Sequence, residues 1–446
     1  MGNWKKAVHY AARNGIVDMI YTAVERKQQL KETYHYEPVG DDILEKQRSE
    51  EGKLKISILV PAYETKPEYM EALVESVLSQ TYANWELIIC DAGTSDQVRE
   101  TVGKYQDQRI QYHRLKENLG ISGNTNQGFQ YVNGEYVALL DHDDLLTPDA
   151  LYEMAKAVEQ AETMEESEVT GEKYQDRVRP YLVYSDEDKC DETGTAFSCP
   201  HRKLDFNLDL FLTNNYICHF AMVRSDIIRE LQLRSEYDGA QDYDLFLRIV
   251  LLIMRMNLGE STPEKLARRI RHVPKILYHW RCHEGSTADN PGSKQYAYEA
   301  GRKAVQDWHL RMGIKARVIH GKHLGYYKVK YGNHLFEKRP DIGVIGGRIL
   351  TKGKVTGGAM EADGTVIYDK LPRKFSGYMN RASLTQDVTA LDIRCMEVRP
   401  ELQERYLKAL IDSLEEDDKT VSLRFCEEIR KEGYFLLYEP TFRAQS

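Results

Sequence analysis

Short apolar runs alternate with amphipathic stretches over the first third of this chain, and this alternation limits the folds open to it. Three runs are typical of strands buried on both faces: KISILV (55–60), WELIICD (85–91) and EYVALLD (135–141). The segment between the first two has a helical apolar stripe, with Thr65 and Glu68 as a capping box and Pro67 in the first turn. Strand–helix–strand alternation predicts an α/β fold with a mostly parallel sheet and helices on both faces.

Each of these strands ends in polar or acidic residues. Pro61-Ala62-Tyr63-Glu64 follows the first, Asp91 ends the second, and Asp141-His142-Asp143-Asp144 follows the third. Parallel strands gather their carboxyl ends at one edge of a sheet, where α/β proteins bind ligands. Carboxylates as close in sequence as Asp141 and Asp143 repel one another, so either they extend into water in a capped turn or a cation holds them.

The D-x-D spacing at a strand end favours the cation. Mg²⁺ and Mn²⁺ take oxygen ligands and keep coordination positions free for substrate phosphates. The chain carries a net charge of −9, which argues against nucleic acid as a partner. An acidic protein that binds an anionic nucleotide needs such a metal to do so.

Cysteine usage and hydropathy indicate the compartment. The seven cysteines are scattered and include no C-x-x-C pair, which argues against a disulfide framework and a zinc site. No signal peptide is apparent, and the longest apolar run, LFLRIVLLIM (245–254), is too short to span a bilayer. We therefore expect a cytoplasmic protein, at the inner face of the plasma membrane if it associates with a membrane.

The N-terminal region is rich in basic residues. Residues 1–33 contain Lys5, Lys6, Arg13, Arg26, Lys27 and Lys31 against Asp18, Glu25 and Glu32. The favoured interpretation is a pair of helices packed on the body of the protein; the alternative is a helix that lies on a membrane surface. The predicted division is an N-terminal helical extension (1–50), an α/β domain (51–325) and a C-terminal unit (326–446).

A weak internal repeat marks the C-terminal unit. DYDLFLR (242–248) aligns with DKTVSLR (418–424), and CHFAMVRSDII (218–228) aligns with IRCMEVRPELQ (393–403), at nearly the same offset. The identities are few. If the repeat is real, residues 341–446 duplicate the second half of the α/β domain as a small α+β unit without its strand-end carboxylates.

The motifs together resemble those of a bacterial family 2 glycosyltransferase with the GT-A fold. They are SILVPAYETKPEYMEALVESVLSQTYANWELIICDAGTSD, ENLGISGNTNQG, YVALLDHDD, YSDEDK, NNYICH, QDYDLFLR and YHWRCHEGSTA, in the order typical of that family. The resemblance covers about residues 55–320. The tail from DIGVIGGRIL resembles the latter half of the second domain in the long members, which have two such domains in tandem.

This resemblance implies transfer of a sugar from a nucleotide-diphosphate donor, a UDP- or dTDP-sugar, with inversion at the anomeric carbon and with Mn²⁺ or Mg²⁺ as cofactor. Asp141 and Asp143 match the metal-binding pair, and Asp242 matches the general base on the acceptor hydroxyl. The family commonly has Glu-Asp where this chain has Gln241-Asp242. An inverting displacement needs its base on the face opposite the leaving group, hence from another part of the chain. Asp242 could also be an ordinary residue of a helix start, as could Asp244.

Further positions match residues around the donor, with Asp91 reading the base and residues 61–64 forming a wall of the pocket. The implied donor-binding residues are Pro61, Tyr63, Glu64, Asp91, Asn118, Gly120, Asp141, Asp186 and Arg281. Asn118, Gly120 and Asn126 could equally do no more than shape the loop. His279 is either a third metal ligand or a packed structural residue. Asp186, Asp188 and His219 are expected to border the sugar or acceptor, and Arg281 and His283 to lie near the diphosphate.

The predicted function is therefore that of an inverting, metal-dependent glycosyltransferase that acts on a growing surface polysaccharide or glycan. The alternative is a catalytically silent nucleotide-sugar-binding or scaffold subunit. A nucleotidyltransferase is disfavoured, because no Gly-rich basic loop follows KISILV. The expected partners are the sugar donor, a glycan or lipid-linked acceptor, a membrane surface and a second copy of the chain. The C-terminal unit is expected to be a non-catalytic platform.

Overall fold

The computed structural model describes residues 10–12, 14–29, 34–168, 179–256, 262–283 and 295–442. Its largest element is a nine-stranded sheet. The strands of this sheet are β1 (Ile56–Ala62), β2 (Trp85–Asp91), β3 (Ile110–Arg114), β4 (Tyr136–Leu139), β5 (Leu145–Leu146), β6 (Leu182–Cys190), β7 (Phe197–His201), β8 (Ala221–Arg224) and β9 (Ile270–Arg281). Their order is β3-β2-β1-β4-β8-β6-β9-β5, with β7 paired to β6.

Eleven helices precede residue 312 in the described part of the chain. They are α1 (Ile16–Gln29), α2 (Asp41–Arg48), α3 (Pro67–Leu78), α4 (Gln97–Val102), α5 (Gly120–Gly128), α6 (Ala150–Glu168), α7 (Leu208–Phe211), α8 (Ser225–Leu231), α9 (Gln241–Met256), α10 (Pro263–Arg269) and α11 (Gln295–Arg311). None of the described helices is long and apolar enough to cross a membrane.

The strands β1 to β4 form the parallel half of the sheet. β1 lies between β2 and β4 and is parallel to both, with Ala62 opposite Asp91 and Leu59 opposite Leu139. Every residue of β1 is buried. Leu59 packs into the core on one face, whereas Ile58 and Val60 pack into the core on the other. The predicted α/β sheet with both faces covered is confirmed, and the ends of β1, β2 and β4 lie side by side.

The remaining strands make the sheet mixed. β8 is antiparallel to β4 and to β6, while β6 and β9 are parallel. β6 and β9 stay paired beyond the residues that β6 pairs with β8, so that Asp188 lies beside His279 and Cys190 beside Arg281. This extension brings the YSDEDK and YHWR segments to the same edge of the sheet as the carboxylates.

A hairpin leads from the α/β domain into the C-terminal unit, which has a short helix and is built around a four-stranded sheet, with smaller pairs beside it. The elements from the hairpin onward are β10 (Arg317–His320), β11 (Tyr327–Lys330), α12 (Leu335–Lys338), β12 (Ile342–Gly346), β13 (Ile349–Thr351), β14 (Lys354–Gly357), β15 (Ala359–Met360), β16 (Gln386–Asp387), β17 (Ala390–Leu391), β18 (Met396–Val398), α13 (Gln403–Asp412), α14 (Asp418–Lys431) and β19 (Phe435–Tyr438). The four-stranded sheet has the order β16-β19-β12-β18.

The pairing in this small sheet reproduces that of β6, β8 and β9. β12 is antiparallel to β18 and parallel to β19, as β6 is antiparallel to β8 and parallel to β9. A helix precedes the last strand in both units, α9 and α10 in one and α14 in the other. Between residues 326 and 442, β12 and β19 form the only parallel pair. The shared topology supports the internal repeat, whereas the domain boundaries stay a prediction.

Polar contacts join the C-terminal unit to residues 207–209, and helix α2 to the helices that cover the large sheet. The Arg339 guanidinium is almost fully buried and donates to Asp209 Oδ1 at 2.8 Å and to Asp341 Oδ2 at 2.7 Å. The Asn207 side chain pairs with the backbone of Asp387 through both its amide nitrogen and its oxygen. Helix α2 packs on the large sheet's helices, where Thr81 Oγ1 donates to Gln47 Oε1 at 2.8 Å.

Candidate active site

Asp144, the last of the three clustered aspartates, belongs to the framework. Its carboxylate is fully buried, accepts a 2.7 Å hydrogen bond from the backbone N–H of Arg281 and accepts another from the Tyr278 hydroxyl. Burial raises the pKa of Asp144 well above its usual range, and the neighbouring Asp143 and Asp141 add to the effect. Asp144 therefore fastens the turn after β4 to β9, and only Asp141 and Asp143 are left to face the crevice.

Asp141 lies in a recess at the end of β4. About half of its side chain is accessible (48%), and His219 Nε2 is 3.8 Å from its Oδ2. The protein around the recess raises the pKa of Asp141 by burial, and the charges of Asp143 and Asp242 raise it further, against the lowering effect of His219. Asp141, Asp143 and Asp242 therefore act on one another, although Asp242 is about one hundred residues away in sequence.

Asp242 stands in the first turn of α9 and faces this recess. Asn215 Nδ2 donates a 2.8 Å hydrogen bond to Asp242 Oδ2, which orients the carboxylate. Asp244, two residues on, is buried and receives hydrogen bonds from Arg234 and Arg248. Of the two aspartates at this helix start, Asp244 is therefore structural and Asp242 is the one available to a ligand.

Asp143 is paired with a histidine that follows β9. His283 Nε2 lies 2.8 Å from Asp143 Oδ2, and each side chain keeps about a fifth of its surface exposed. The Arg281 guanidinium lies behind this pair and donates from Nε to the Asp143 carbonyl at 2.5 Å and from Nη1 to the Glu192 carbonyl at 2.7 Å. Since Arg281 is 1% exposed, it holds the backbone of Asp143. A contact of Arg281 with the donor diphosphate stays a prediction.

His279 does not join Asp141 and Asp143. Its Nδ1 lies 2.5 Å from Asp188 Oδ1, and the rings of Tyr36 and Phe197 enclose it at centroid distances of 4.7 and 4.3 Å. These contacts fit a packed structural residue rather than a third metal ligand. Asp188 belongs to the same packing, since its Oδ2 accepts a 2.7 Å hydrogen bond from the Tyr34 hydroxyl.

Strand alternation explains the position of His279. The neighbouring Tyr278 and Trp280 contact the ring of His219, which faces Asp141, at centroid distances of 5.0 and 5.9 Å. Successive side chains of a strand point to opposite faces, so His279 points away from the recess. Among the residues that the structure describes, no group of three or more His, Cys, Asp or Glu side chains is arranged to hold a metal ion.

Asp91 ends β2, two strand spacings or about 10 Å from the end of β4. Its carboxylate is buried and accepts hydrogen bonds of 2.8 Å from the backbone N–H of Gly93 and from the Tyr112 hydroxyl. Arg114 Nη1 lies 3.4 Å from Asp91 Oδ2. Tyr112 and Arg114 were not predicted from the sequence, although their alternation in RIQYHRL places both on the same face of β3.

The loop after β1 is tied to the loop after β2. Glu64 accepts hydrogen bonds from the backbone N–H of Thr94 at 2.7 Å and from its hydroxyl at 2.8 Å, and these bonds lower the pKa of Glu64. Tyr63 is half exposed beside it, whereas Pro61 is buried within β1 opposite Cys90. The structure thus brings residues 61–64 next to Asp91, with Tyr63 and Glu64 on the surface.

Asn118, Gly120 and Asn126 shape helix α5. Asn118 Oδ1 accepts from the backbone N–H of Gly120 at 3.0 Å, and the Asn126 side chain bonds both the N–H and the carbonyl of Leu233. Gly120 has a φ of +75°, and a Cβ there would lie 2.6 Å from Asp238 Oδ2. These contacts support the shaping role rather than direct donor binding.

Asp186 is also occupied by the protein. It is 2% exposed, and its Oδ1 lies 2.8 Å from His272 Nε2 and accepts a 2.8 Å hydrogen bond from the backbone N–H of Lys203. Asp186 is therefore held by contacts within the protein, and its place beside the donor sugar stays a prediction. The neighbouring residue, Glu187, lies on the crevice side of β6 instead.

Glu187 forms a buried polar cluster that the sequence did not reveal. Its carboxylate accepts from the backbone N–H of His219, lies 3.1 Å from His201 Nδ1 and 3.8 Å from Lys203 Nζ. Burial would raise the pKa of Glu187, but Lys203 and His201 outweigh it and lower the pKa to about 2. Lys203 Nζ also donates to the carbonyls of Ile217 and His219. The cluster holds the segment that carries His219 against the recess.

Comparison with known proteins identifies the family. The family model described as Glycosyl transferase family 2 matches residues 57–232. The chain is 30% identical over 225 residues to WcaA of Escherichia coli K12, a protein named for colanic acid biosynthesis, and the match covers 49% of this chain and 72% of WcaA. The chain belongs to glycosyltransferase family 2. The predicted bacterial family 2 glycosyltransferase is confirmed.

Two other relatives are much longer than the matched segment. The chain is 35% identical over 256 residues to the uncharacterized protein y4gI of Sinorhizobium fredii, covering 56% of this chain and 25% of y4gI. It is 29% identical over 280 residues to the O-antigen biosynthesis protein RfbC of Myxococcus xanthus, covering 62% of this chain and 20% of RfbC. The chain thus spans a quarter or less of these two relatives.

Solved structures show a loose likeness. Residues 1–349 of TarS from S. aureus match at 17% identity and a TM-score of 0.39, over 56% of this chain and 64% of that one. The mannosyltransferase PcManGT from Pyrobaculum calidifontis, solved with GDP-Man and Mn²⁺, matches at 18% identity and a TM-score of 0.41, over 68% of this chain and 75% of that one. Likeness at this level says nothing of the ligands of this family 2 glycosyltransferase.

Proposed function

We propose that this family 2 glycosyltransferase is an inverting, metal-dependent enzyme that moves a sugar from a UDP- or dTDP-sugar to a hydroxyl of a growing surface polysaccharide or glycan. The acceptor is a glycan or a lipid-linked glycan, and the enzyme works in the cytoplasm at the inner face of the plasma membrane. RfbC and WcaA, named for O-antigen and colanic acid biosynthesis, support this class of product.

One observation carries the proposal. Asp242, from the start of α9, lies close enough to Asp141, from the end of β4, for its charge to raise the pKa of Asp141, and the Asp141 side chain is still half exposed to a ligand. Asp143 lies at the rim, and Asp91 ends β2, two strands away from β4. Carboxylates drawn from such distant parts of the chain surround a space in which the acceptor hydroxyl and the sugar donor meet.

The roles follow from position. Asp242, oriented by Asn215, takes the proton of the acceptor hydroxyl as the hydroxyl oxygen attacks the anomeric carbon. Asp91 reads the base of the nucleotide, with Tyr112 and Arg114 fixing its carboxylate, and Tyr63 and Glu64 line the nucleotide pocket. On this proposal the nucleoside diphosphate leaves from the side of Asp141 and Asp143.

The residues at the rim fit a divalent metal. The Asp143 oxygen and His283 Nε2, 2.8 Å apart, are an oxygen and a nitrogen donor that Mn²⁺ accepts more readily than Mg²⁺, with Asp141 close enough to raise the local negative charge. Two protein ligands suffice when diphosphate oxygens supply others. When bound, the metal would neutralise the charge that develops on the leaving diphosphate.

The first experiment is a thermal-shift screen of UDP- and dTDP-sugars with and without Mn²⁺. A bound donor raises the melting temperature according to its affinity and concentration. We expect Asp143→Ala to abolish the metal-dependent part of the shift. Asp242→Asn should keep the shift and reduce transfer by about 10²–10⁴-fold, the range for general-base removal. Asp226→Asn, on the surface beside Arg224, is the matched control.

The outcome also separates the catalytic enzyme from a silent binding or scaffold subunit. A scaffold would bind the donor but show no transfer that depends on Asp242. If transfer and donor hydrolysis both survive Asp143→Ala and Asp242→Asn, the proposed mechanism is wrong. The C-terminal unit (326–446) is proposed as a non-catalytic platform, because its strands repeat those of β6, β8 and β9 while the parallel carboxylate-bearing half has no counterpart between residues 326 and 442.

A further inference from the structure

Helix α1 turns its polar side toward the protein. Glu25, which is 9% exposed, accepts hydrogen bonds from the backbone N–H groups of Ser376 at 2.9 Å and Gly377 at 2.7 Å. Asp18, about two turns earlier, pairs with Lys322 at 3.5 Å. Both acidic residues of the helix are therefore used in contacts with other parts of the protein.

The opposite side of α1 is apolar and exposed. Ile16, Val17, Ile20 and Val24 have exposed fractions of 67, 53, 52 and 45%. Their spacing places them on one face of the helix. A helix on the surface of a globular protein normally buries its apolar face and exposes its polar one. The reversed orientation of α1 indicates that its outer face meets an apolar environment beyond this chain.

The charges around this face have one sign. Arg26 and Lys27, in the last turn of α1, are exposed. Because Asp18 and Glu25 face inward, no acidic side chain of α1 balances them on the outer side. An apolar stripe bordered by basic residues fits the surface of an anionic bilayer, where acyl chains take the stripe and headgroups pair with the cations.

A second apolar stripe in the chain makes an informative contrast. Helix α13 and the turn after it expose Leu407, Ile411 and Leu414, with Glu415 and Glu416 exposed beside them. Apolar surface with acidic neighbours is repelled by anionic lipid. The apolar face of α1 thus has basic neighbours, whereas the apolar face of α13 has acidic ones.

The position of α1 relates it to the acceptor side of the recess. Lys322, its partner, lies in the loop between β10 and β11, which leads to Tyr327. The ring of Tyr327 stacks with the ring of Tyr243, the residue after Asp242, at a centroid distance of 6.1 Å. The hairpin that holds Asp18 of α1 is thus in contact with the start of α9, where the proposed general base lies.

We propose that the outer face of α1 docks the enzyme on an anionic membrane surface, where a lipid-linked acceptor would be presented to Asp242. The docking concerns the bilayer and its anionic headgroups; the link to the acceptor rests on the proposed function. Four aliphatic side chains that enter the bilayer only in part, together with two basic residues, give reversible peripheral attachment rather than stable insertion.

Co-sedimentation of the full chain with vesicles tests this. We expect binding to vesicles that contain phosphatidylglycerol, loss of binding at high salt, and little binding to phosphatidylcholine alone. The double variant Ile20→Ser and Val24→Ser should lower the partition coefficient about tenfold or more. Each of Arg26→Glu and Lys27→Glu should lower it about fivefold or more.

The matched control is the double variant Ile411→Ser and Leu414→Ser, which removes similar exposed apolar area from α13. It should bind vesicles as the unmodified chain does, and thermal unfolding should show that every variant is folded. Unchanged vesicle binding by the α1 double variant overturns the proposal. So does a monomer–dimer equilibrium that this variant alone abolishes, since a second copy then covers the face. Sedimentation needs no turnover, so an inactive enzyme that still binds vesicles would count against the proposed function only.

Discussion

His283 Nε2 lies 2.8 Å from Asp143 Oδ2, whereas His279, four residues earlier, points to the other face of β9 and contacts Asp188. The two histidines belong to the same YHWRCH segment, but His279 lies within β9 and His283 lies two residues after its end. The pair at the rim of the recess therefore defines where a metal is to be sought.

The first prediction separates the two histidines. His283→Ala should raise the Mn²⁺ concentration for half-maximal transfer about 10-fold to 100-fold, as loss of a metal-site contact does. His279→Ala should leave that concentration unchanged and lower the melting temperature, because it empties a space between Tyr36 and Phe197. Metal titrations of transfer, with melting curves alongside, give both quantities. A change in metal dependence for His279→Ala at unchanged stability would contradict the assignment.

The second prediction concerns the hydroxyl that fixes Asp91. Tyr112→Phe removes a 2.8 Å hydrogen bond to a buried carboxylate and leaves that oxygen short of a donor, a loss of about 1–3 kcal/mol. We expect the KM for the nucleotide sugar to rise about tenfold with kcat nearly unchanged. Tyr105→Phe, whose hydroxyl bonds the surface residue Glu75, is the control and should change neither constant. A fall in kcat at unchanged KM would place Tyr112 elsewhere in the reaction.

The third prediction is a pH dependence of stability due to Glu187. Its pKa in the folded protein, about 2, lies below the ordinary value of 4.5 for a glutamate. Its contribution to stability is therefore present above the unfolded-state pKa and is lost as the pH falls from about 5 toward about 2. Glu187→Gln should lower the free energy of unfolding by about 3 kcal/mol at neutral pH, and by progressively less as the pH falls through this window.

Urea unfolding at several pH values measures this difference. The control, Glu401→Gln, changes a carboxylate that is exposed on the surface and should have little effect at any pH. Since Glu187 holds the segment of His219, the variant should also reduce transfer at neutral pH. A stability difference that stays constant with pH would mean that the carboxylate charge is not what stabilises the cluster.

The fourth prediction tests how the C-terminal unit is attached. Arg339→Met leaves Asp209 and Asp341 without their shared guanidinium, and breaking a buried pair in this way costs about 3–5 kcal/mol. Adding Asp209→Asn should recover part of the loss, because it removes one of the uncompensated charges. Equilibrium unfolding of the double variant and of the two single variants, Arg339→Met and Asp209→Asn, gives the coupling energy. Losses that simply add would show that Arg339 and Asp209 do not depend on each other.

Much of the fold was predictable because short-range pattern determines it. The apolar runs at 55–60, 85–91 and 135–141 became strands buried on both faces, since only burial satisfies such runs. Their polar ends met at one edge because parallel strands run in the same direction. The internal repeat was faint in residue identities, yet the pairing of β12 with β18 and β19 reproduces that of β6 with β8 and β9.

The detail of the site was less predictable. Asp144, Asp186 and Arg281 have the residue types of ligand-binding groups, but in the structure each makes hydrogen bonds within the protein. Lys203 and Glu187 were overlooked, since nothing in their local sequence shows that two charged residues sixteen positions apart are buried together. Whether a polar side chain bonds to the protein or faces a ligand depends on hydrogen-bond partners that lie far away in the chain.

By itself the sequence determined the α/β class, the family and the strand ends at which carboxylates gather, because periodicity and motif order are local properties. Tertiary structure alone decided that Asp242 rather than Asp244 faces Asp141, that His283 rather than His279 stands beside Asp143, and that α1 turns its apolar side outward. A side chain points in the opposite direction after one residue on a strand and after about two residues on a helix. Only packing between distant segments selects the direction that is realised.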